Sequence, residues 1–307
     1  MRVLLTGAHG MVGKNILDCN LSKEYQWLTP SRDELNLLNY NDVFRYIQQH
    51  NPDLVIHAAG KVGGISSHNE HQFEYFSENL RMGENVVLGS KNNSVKKLIN
   101  ISSGSIYPDL DNKILCESDL LTAPVNSLTE GYSLAKIAIL KLCTYISNEY
   151  KDYQYTTVVP SNIFGKWDNF GSDAHMLPSI IKRLDSAKRN KLKNVEIWGD
   201  GSAKREFLFA QDFSKFIFDI VKSLDSCQVI NLGYGSDFTV LEYNQIIADV
   251  VGYKGKFSFN LDKPVGNKRK LLDLKQMKSL NIWRSHSIKE GIKKTYDFYL
   301  KYDRRGR

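Results

Sequence analysis

Tyr132 and Lys136 are the side chains with the clearest chemical potential, because they form a Tyr-x-x-x-Lys pattern. On a helix, this four-residue spacing places both side chains on one face. A tyrosine has an ordinary pKa of about 10, and a nearby cation such as Lys136 favours its phenolate. The pair is therefore suited to acid–base catalysis, with Tyr132 as the proton donor when a ketone is reduced.

Ser103 lies in the segment Ser102-Ser103-Gly104-Ser105, at the end of a predicted strand. Ligands of parallel sheets bind at the carboxyl ends of the strands, so we expect Ser103, Tyr132 and Lys136 to converge there. The Ser103 hydroxyl would hydrogen-bond the oxygen that Tyr132 protonates. These three residues predict the catalytic centre of a reductase.

Glycines recur as Gly-x-x-Gly-x-x-Gly directly after the first predicted strand and at the start of the first predicted helix. Such glycines permit a tight turn and let backbone N–H groups approach a pyrophosphate. The segment predicts a dinucleotide site. Its predicted residues are Gly7, His9, Gly10, Met11, Val12 and Gly13, together with Arg32, Tyr132 and Lys136.

Arg32 ends the segment Thr29-Pro30-Ser31-Arg32, which follows the second predicted strand. An acidic residue there would bind the ribose 2′-hydroxyl of NAD, whereas a cation would accept a 2′-phosphate. No acid stands in these four positions, although Asp33 follows, and a guanidinium can bind phosphate through two hydrogen bonds. NADP(H) is therefore the favoured cofactor; the alternative is that Arg32 is an ordinary surface arginine.

The first half of the chain alternates short β-branched runs with longer amphipathic stretches, which is typical of a parallel α/β sheet. Strands are predicted at residues 3–6, 26–29, 54–58, 97–102 and 155–159. Helices are predicted at residues 11–19, 41–49, 73–92 and 132–149. The pattern predicts a Rossmann-type, doubly wound parallel sheet with a smaller, interleaved substrate-binding lobe.

The alternation of predicted strands and helices stops after Pro160, where a loop rich in Asn, Gly and Asp begins. A helix at 176–187 and a strand at 195–198 are predicted to follow it, whereas 206–209, 213–224 and 229–232 are predicted to rejoin the sheet. The predicted NADP(H)-binding domain comprises residues 1–165 and about 205–240. The predicted substrate-binding lobe comprises about 166–204 and 241–307.

The composition of the 307 residues narrows the class of protein. The net charge is +7, but Lys and Arg are spread along the chain without a basic-aromatic motif, so nucleic-acid binding is not expected. A mild positive excess suits phosphate-bearing ligands. The apolar run at the start is too short for a signal-peptide core, and no later run approaches the roughly 18 residues of a membrane span, which predicts a cytoplasmic protein without a membrane partner.

Cysteine and histidine spacing gives no sign of a metal site. The four cysteines are widely spaced and are expected to be reduced: Cys19, Cys116, Cys143 and Cys227. His68 and His71 flank Glu70, but the loop context and the lack of a third ligand favour solvated polar residues. We predict no metal.

The sequence resembles the GDP-L-fucose synthase family of extended short-chain dehydrogenases/reductases along nearly the whole chain. Seven segments carry the resemblance: Arg32-Asp33-Glu34-Leu35-Asn36-Leu37, Gly60-Lys61-Val62-Gly63-Gly64-Ile65, Ile106-Tyr107-Pro108, Asp168-Asn169-Phe170, Trp198-Gly199, Arg205-Glu206-Phe207 and Arg269-Lys270-Leu271-Leu272-Asp273. The resemblance implies a homodimeric, NADPH-dependent enzyme that epimerises C3 and C5 of a GDP-linked 4-keto-6-deoxy sugar and then reduces C4. It also implies substrate contacts at Asn162, Arg183, Trp198, Arg205 and Lys270.

The chain departs from this family at one epimerase residue. The family uses a cysteine and a histidine as acid and base; the histidine matches His175, but Ser105 stands where the cysteine is expected. A thiol has a pKa of about 8.5 and an alcohol lies near about 15.7, so forming the alkoxide costs about 10 kcal/mol more. The resemblance therefore implies a reductase without epimerase activity, like bacterial members that reduce GDP-4-keto-6-deoxy-heptoses in capsule synthesis. Ser105 and His175 are expected to contact the substrate.

Four other functions compete with this interpretation. An ordinary bifunctional GDP-L-fucose synthase is the nearest alternative. A nucleotide-sugar 4,6-dehydratase would carry an Asp-Glu pair where Gly104-Ser105 stands, and a 4-epimerase that retains NAD is disfavoured by Arg32. A non-catalytic NADP-binding regulator would keep the glycines but lose the Ser103, Tyr132 and Lys136 set, which is complete here.

Overall fold

The computed structural model describes residues 1–110, 113–171, 173–223, 229–262 and 268–303. Cys227 lies outside these ranges, as does the last residue of the helix predicted at 213–224. The other three cysteines, Cys19, Cys116 and Cys143, are free thiols.

Strands and helices alternate through the first half of the chain. The strands are β1 (Arg2–Thr6), β2 (Gln26–Leu28), β3 (Leu54–His57), β4 (Lys97–Ile101), β5 (Ile114–Leu115), β6 (Gln154–Pro160), β7 (Asn162–Phe164), β8 (Asn194–Trp198), β9 (Lys204–Arg205), β10 (Phe207–Phe209), β11 (Val229–Leu232), β12 (Phe238–Thr239), β13 (Lys256–Asn260) and β14 (Arg269–Leu272). The helices are α1 (Met11–Asp18), α2 (Tyr40–His50), α3 (Ile65–Glu70), α4 (Gln72–Asn92), α5 (Glu130–Glu149), α6 (Met176–Arg189), α7 (Ala210–Lys222), α8 (Val240–Val251), α9 (Lys275–Ser279) and α10 (Ile288–Phe298), the last continuing as a wider helical turn at Tyr299–Asp303. Short 3₁₀ turns lie at Asn20–Glu24, Gly104–Ile106, Glu117–Asp119 and Ser127–Thr129.

Six strands form a parallel sheet in the order β11-β6-β4-β3-β1-β2. This confirms the predicted doubly wound sheet, and its first five predicted strands are observed within one residue of the expected bounds. The chain runs from β1 outward to β2 and then crosses to β3 on the other side of β1. The carboxyl ends of β1 and β3 therefore border the crevice in which ligands of such sheets bind.

The strand sequences explain the burial of this sheet, because its central strands are apolar on both faces. In β1, Leu4 and Leu5 point to opposite faces and are 1% and 0% exposed. Leu4 packs with side chains of α2, α4 and α5, whereas Leu5 packs with those of α1 and α7. Helices therefore cover both faces of the sheet.

A smaller apolar cluster lies between α6, α8 and α10 and includes the fully buried Leu177, Tyr243 and Ile292. β8 and β13 form a parallel pair beside it.

The division into two domains remains a prediction, but one segment that we assigned to the smaller lobe packs elsewhere. Leu272, Met277 and Ile282 belong to the cluster of the large sheet, because β14 pairs with β5.

No helix in the described part of the chain is both long enough and apolar enough to cross a membrane.

Candidate active site

The glycine turn between β1 and α1 brings backbone very close to backbone. Gly7 has φ +71°, and a Cβ on it would lie 2.6 Å from the amide nitrogen of Ala59, just after β3. A Cβ on Gly13 would lie 2.3 Å from the Gly7 carbonyl oxygen. Side chains at these positions would therefore push α1 away from the sheet.

The first turn of α1 is suited to an anion. Gly10 precedes the helix without a side-chain cap, and the first turn holds no acidic residue. Its backbone N–H groups are therefore available to a pyrophosphate, together with the positive end of the helix dipole. His9 and Gly10 are exposed at this turn, whereas Met11 and Val12 are half-buried beside it.

Arg32 is exposed in the turn that follows β2. In the same turn, Ser31 donates its backbone N–H to Glu34 Oε2 at 2.7 Å, and Glu34 donates its own to Ser31 Oγ at 3.3 Å. His9 is close enough that its charge helps to lower the pKa of Glu34, after the two hydrogen bonds from Ser31. Arg32 thus lies near the glycine turn, and within the described ranges it forms no ion pair.

Ser103, Tyr132 and Lys136 come together where β4 meets α5. Tyr132 lies in the first turn of α5 and is hydrogen-bonded to the Ser103 side chain. Lys136 lies one turn further, with Nζ 5.8 Å from the centre of the Tyr132 ring, and donates to the Ile101 carbonyl oxygen at 3.2 Å. The arrangement matches the convergence that we expected from the sequence.

Burial governs the protonation of Tyr132 and Lys136. Burial raises the pKa of Tyr132 to about 12, and the hydrogen bond with Ser103 opposes this only in part. Burial also lowers the pKa of Lys136 to about 8. In the protein without cofactor, desolvation of the phenol dominates, so Tyr132 carries its proton at neutral pH.

We expect kcat/KM for reduction to fall as the pH rises above about 8. The pKa of Lys136 is lowered to about 8, so its ammonium form, which would stabilise the phenolate left by proton donation, is present below that pH and lost above it. Steady-state rates across this range, with circular dichroism to check the fold, measure the effect. A profile that stays flat to about pH 10 would contradict this role for Lys136.

His68 is a site residue that the sequence analysis missed. It lies in α3 and is 7% exposed, with its ring edge-on to Tyr132 at 5.1 Å and against Tyr75 at 3.9 Å. Our expectation of a solvated residue is wrong for His68, because α3 packs against the start of α4, whereas Glu70 and His71 are exposed. Six helical residues after two glycines are too few for a periodic pattern to reveal this packing.

His175 lies at the rim of the site, immediately before α6, and its side chain is exposed. Desolvation by the surrounding protein lowers its pKa, and the charge of Asp173 opposes this. Burial likewise lowers the pKa of His68, and the nearby His175 lowers it further. Two largely neutral imidazoles therefore lie close together, and one of them, His68, packs against Tyr132.

A cavity of about 70 Å³ lies beside the catalytic centre. Its lining includes Ser103, Ser105, Asn162, Glu206 and Lys270. Ser105 Oγ donates to Ser103 Oγ at 3.1 Å, and Asn162 Nδ2 donates to the Glu206 carbonyl oxygen at 3.1 Å. Three predicted substrate residues, Ser105, Asn162 and Lys270, therefore share one cavity with Ser103.

Arg205 and Lys270 provide positive charge next to this cavity. They are direct partners in the parallel pairing of β9 with β14. Burial lowers the pKa of Lys270 to about 8; Asp109 opposes this shift, whereas Arg205 adds to it. Two cations held this close favour an anionic ligand such as a diphosphate.

Arg183 and Trp198 lie elsewhere. Arg183 lines a second, open groove between α6 and β8, where its Nη2 donates to Asn244 Oδ1 at 3.2 Å and its buried Nε has no hydrogen-bond partner among the described residues. Trp198 ends β8 and is 55% exposed. The substrate residues implied by the family resemblance thus fall into two separate places.

Glu206 is a second residue that we did not assign. It is 1% exposed, and its carboxylate accepts the backbone N–H groups of Gly235 at 2.7 Å and Leu272 at 3.1 Å. Burial raises its pKa to about 7. Glu206 connects the strand that carries Lys270 to the cavity wall. From the segment Arg205-Glu206-Phe207, the sequence analysis assigned a role only to the arginine.

Among the described residues, no three His, Cys, Asp or Glu side chains lie close enough to hold a metal ion. The absence of a metal remains a prediction.

The chain is similar to enzymes of nucleotide-sugar metabolism. Residues 3–233 match the NAD dependent epimerase/dehydratase family. The chain is 42% identical to the GDP-L-colitose synthase of Yersinia pseudotuberculosis over 98% of both chains, and 38% identical to the GDP-L-fucose synthase of Azorhizobium caulinodans over 97% of this chain and 96% of that one. A solved GDP-mannoheptose C4 reductase from Campylobacter jejuni with NADP bound has a TM-score of 0.89 at 25% identity, over 97% of this chain and 98% of that one.

Proposed function

Because the chain belongs to the NAD dependent epimerase/dehydratase family, among the relatives of the GDP-L-fucose and GDP-L-colitose synthases, we propose that it reduces the C4 keto group of a GDP-linked 4-keto-6-deoxy sugar with NADPH. The sugar is a hexose or a heptose. One observation carries the proposal: protonated Tyr132 is hydrogen-bonded to Ser103, which lines a cavity flanked by two cations.

The residues around the glycine turn fit NADP(H). Gly7 and Gly13 leave space that a Cβ would fill, the start of α1 offers uncapped N–H groups, and Arg32 is exposed near that turn. Bound NADPH would supply the hydride that adds to C4. The protein must supply the rest of the reaction, namely a proton for the C4 oxygen and a site for the diphosphate.

The proposed proton path begins at Tyr132. Its phenol donates to the C4 oxygen as negative charge develops there, while the Ser103 hydroxyl hydrogen-bonds the same oxygen. The Lys136 ammonium stabilises the phenolate that remains. Arg205 and Lys270 bind the diphosphate and thereby hold the sugar at the cavity.

We further propose that C3 and C5 are not epimerised. Proton exchange at carbon needs two groups on opposite faces of the sugar, and His175 can serve as one because imidazole titrates near neutrality. Ser105 would have to be the other, but its hydroxyl donates to Ser103 instead of to a base. The carboxylate of Glu206, which also lines the cavity, is occupied by backbone N–H groups.

A bifunctional 3,5-epimerase/4-reductase is the second candidate. It is favoured by the 42% and 38% identity to synthases of GDP-linked L-sugars, and by the neighbouring imidazoles of His68 and His175, the first of which packs against Tyr132. The two functions differ in whether solvent protons enter C3 and C5 of the product.

Arg32→Ala should weaken NADPH binding about 10- to 100-fold and leave NADH binding within about twofold. Only NADPH has the 2′-phosphate, and hydrogen bonds to charged groups contribute roughly 1.5–3 kcal/mol. Fluorescence titration with both cofactors measures the difference. Arg45→Ala, at an exposed arginine of α2, is the matched control. Equal losses for NADPH and NADH would remove Arg32 from the cofactor site.

The substrate class is tested by mixing the protein with NADPH and either GDP-4-keto-6-deoxymannose or UDP-4-keto-6-deoxyglucose. We expect rapid NADPH oxidation with the GDP-linked sugar and at least about tenfold slower oxidation with the UDP-linked one. Equal rates, or oxidation with neither sugar, would contradict the proposal.

A further inference from the structure

The open groove between α6 and β8 has a basic side chain on one wall and an acidic side chain on the other. Ser179, Arg183 and Ser186 of α6 form one wall, and Asn194 and Glu196 of β8 lie on the other. The groove has a volume of about 600 Å³, which is large enough for a nucleoside. It is separate from the cavity at Ser103.

The α6 wall leads directly to the catalytic centre. His175, Ser179, Arg183 and Ser186 follow one another at spacings of four, four and three residues, so they lie on one helical face. At about 1.5 Å per residue, the distance from His175 to Ser186 is roughly 16 Å. That length is comparable with an extended nucleoside diphosphate sugar whose sugar lies at His175.

Glu196 is the unexpected residue of this groove. Its carboxylate is close enough to raise the pKa of Arg183, against the larger lowering by burial. Lys182 Nζ, on the same wall, donates to the Phe170 carbonyl oxygen at 2.7 Å. A carboxylate repels phosphates, so Glu196 would not be expected in a groove that binds only phosphates.

A carboxylate has a different use toward a base. Its two oxygens only accept hydrogen bonds, so it matches a ligand edge that offers two adjacent N–H donors. Guanine has such an edge in N1–H and the 2-amino group. Adenine offers an acceptor at N1, and uracil offers one N–H between two carbonyls, so a carboxylate at this position would disfavour both.

Neighbouring residues make the Glu196 position suitable for a base. Residues 194, 196 and 198 alternate with the buried Val195 and Ile197, so Asn194, Glu196 and Trp198 share the outer face of β8. Asn194 Nδ2 donates to Ser258 Oγ of β13 at 2.6 Å, which fixes the amide beside Glu196. The exposed Leu192 adds an apolar contact in the groove.

We infer that the groove between α6 and β8 binds the nucleoside of the substrate and that Glu196 is the residue that selects guanine. This inference rests on the proposed function, since it takes the substrate to be a nucleotide-linked sugar reduced at the Tyr132 centre. Arg183 then lies beside the bound nucleoside, while Arg205 and Lys270 hold the diphosphate as proposed above.

Binding of GDP, ADP and UDP to the full-length protein, measured by calorimetry, tests the inference. The wild type should bind GDP at least about tenfold more tightly than ADP or UDP. Glu196→Gln keeps the size of the side chain but directs an amide donor at guanine, so GDP should bind about 10- to 100-fold more weakly, with ADP and UDP changed less than about twofold. Glu149→Gln, at an exposed glutamate at the far end of α5, is the matched control and should change none of the three affinities.

The outcomes distinguish a failure of the Glu196 role from a failure of the proposed function. If the wild type prefers GDP and Glu196→Gln keeps that preference, the role of Glu196 is overturned while the proposed function stands. If the wild type binds the three nucleotides equally, the GDP-linked substrate itself is wrong, and the guanine site with it. Loss of GDP preference only in Glu196→Gln supports both.

Discussion

Tyr132→Phe should lower kcat by about 10²–10⁴-fold while NADPH binds with less than about a twofold change in affinity. Among Ser103, Tyr132 and Lys136, the Tyr132 phenol is the proposed proton donor, and burial keeps its pKa high enough that it is protonated at neutral pH. Phenylalanine fills the same volume and keeps the edge-to-face packing with His68. The loss should therefore appear in turnover and not in cofactor binding or folding.

Single-turnover rates and NADPH titrations of this variant measure the two effects separately. Tyr145→Phe is a matched control, because Tyr145 lies on the same helix and is 57% exposed. It should behave like the wild type. A Tyr132→Phe protein that retains more than about a third of the wild-type kcat would show that another group donates the proton.

Gly13→Ala should weaken NADPH binding by at least about 100-fold. A Cβ there would lie 2.3 Å from the Gly7 carbonyl oxygen and 2.6 Å from the Ala8 Cα. Both are backbone atoms, so no side-chain rotation can relieve the clash. The glycine turn would have to open, and we expect it to lose two hydrogen bonds to the pyrophosphate. At roughly 1.5 kcal/mol each, this loss corresponds to an NADPH affinity about 100-fold lower.

Lys14→Ala changes the next residue of α1, which is exposed, without affecting the close backbone approach. It should bind NADPH within about twofold of the wild type. Far-UV circular dichroism distinguishes a local opening of the turn from unfolding. A folded Gly13→Ala protein with wild-type NADPH affinity would show that the turn does not hold the pyrophosphate.

The sheet could be predicted from the sequence because its strands are short, apolar and separated by clear amphipathic helices. β1 and β3 are nearly continuous apolar runs, as expected for strands buried on both faces. The family resemblance is confirmed by relatives at 42% and 38% identity. Ser103, Tyr132 and Lys136 converge because their positions depend only on this sheet and on helical spacing.

Contacts between distant segments could not be predicted in the same way. The packing of His68 on Tyr132 depends on how α3 meets α4, which no local pattern records. The hydrogen bonds of Glu206 join segments about 30 and 66 residues further along the chain. The high pKa of Tyr132 follows from its burial, which becomes visible only in the folded chain.

We expect the protein to reduce C4 without proton exchange at the neighbouring carbons. This expectation is tested most directly by one incubation with NADPH and GDP-4-keto-6-deoxymannose in deuterated water, followed by NMR of the product. We predict a product reduced at C4 that carries negligible deuterium at C3 and C5, because Ser105 replaces the thiol expected there and donates its hydrogen bond to Ser103. Stoichiometric deuterium at either carbon would contradict reduction without epimerisation and make the protein a bifunctional epimerase and reductase.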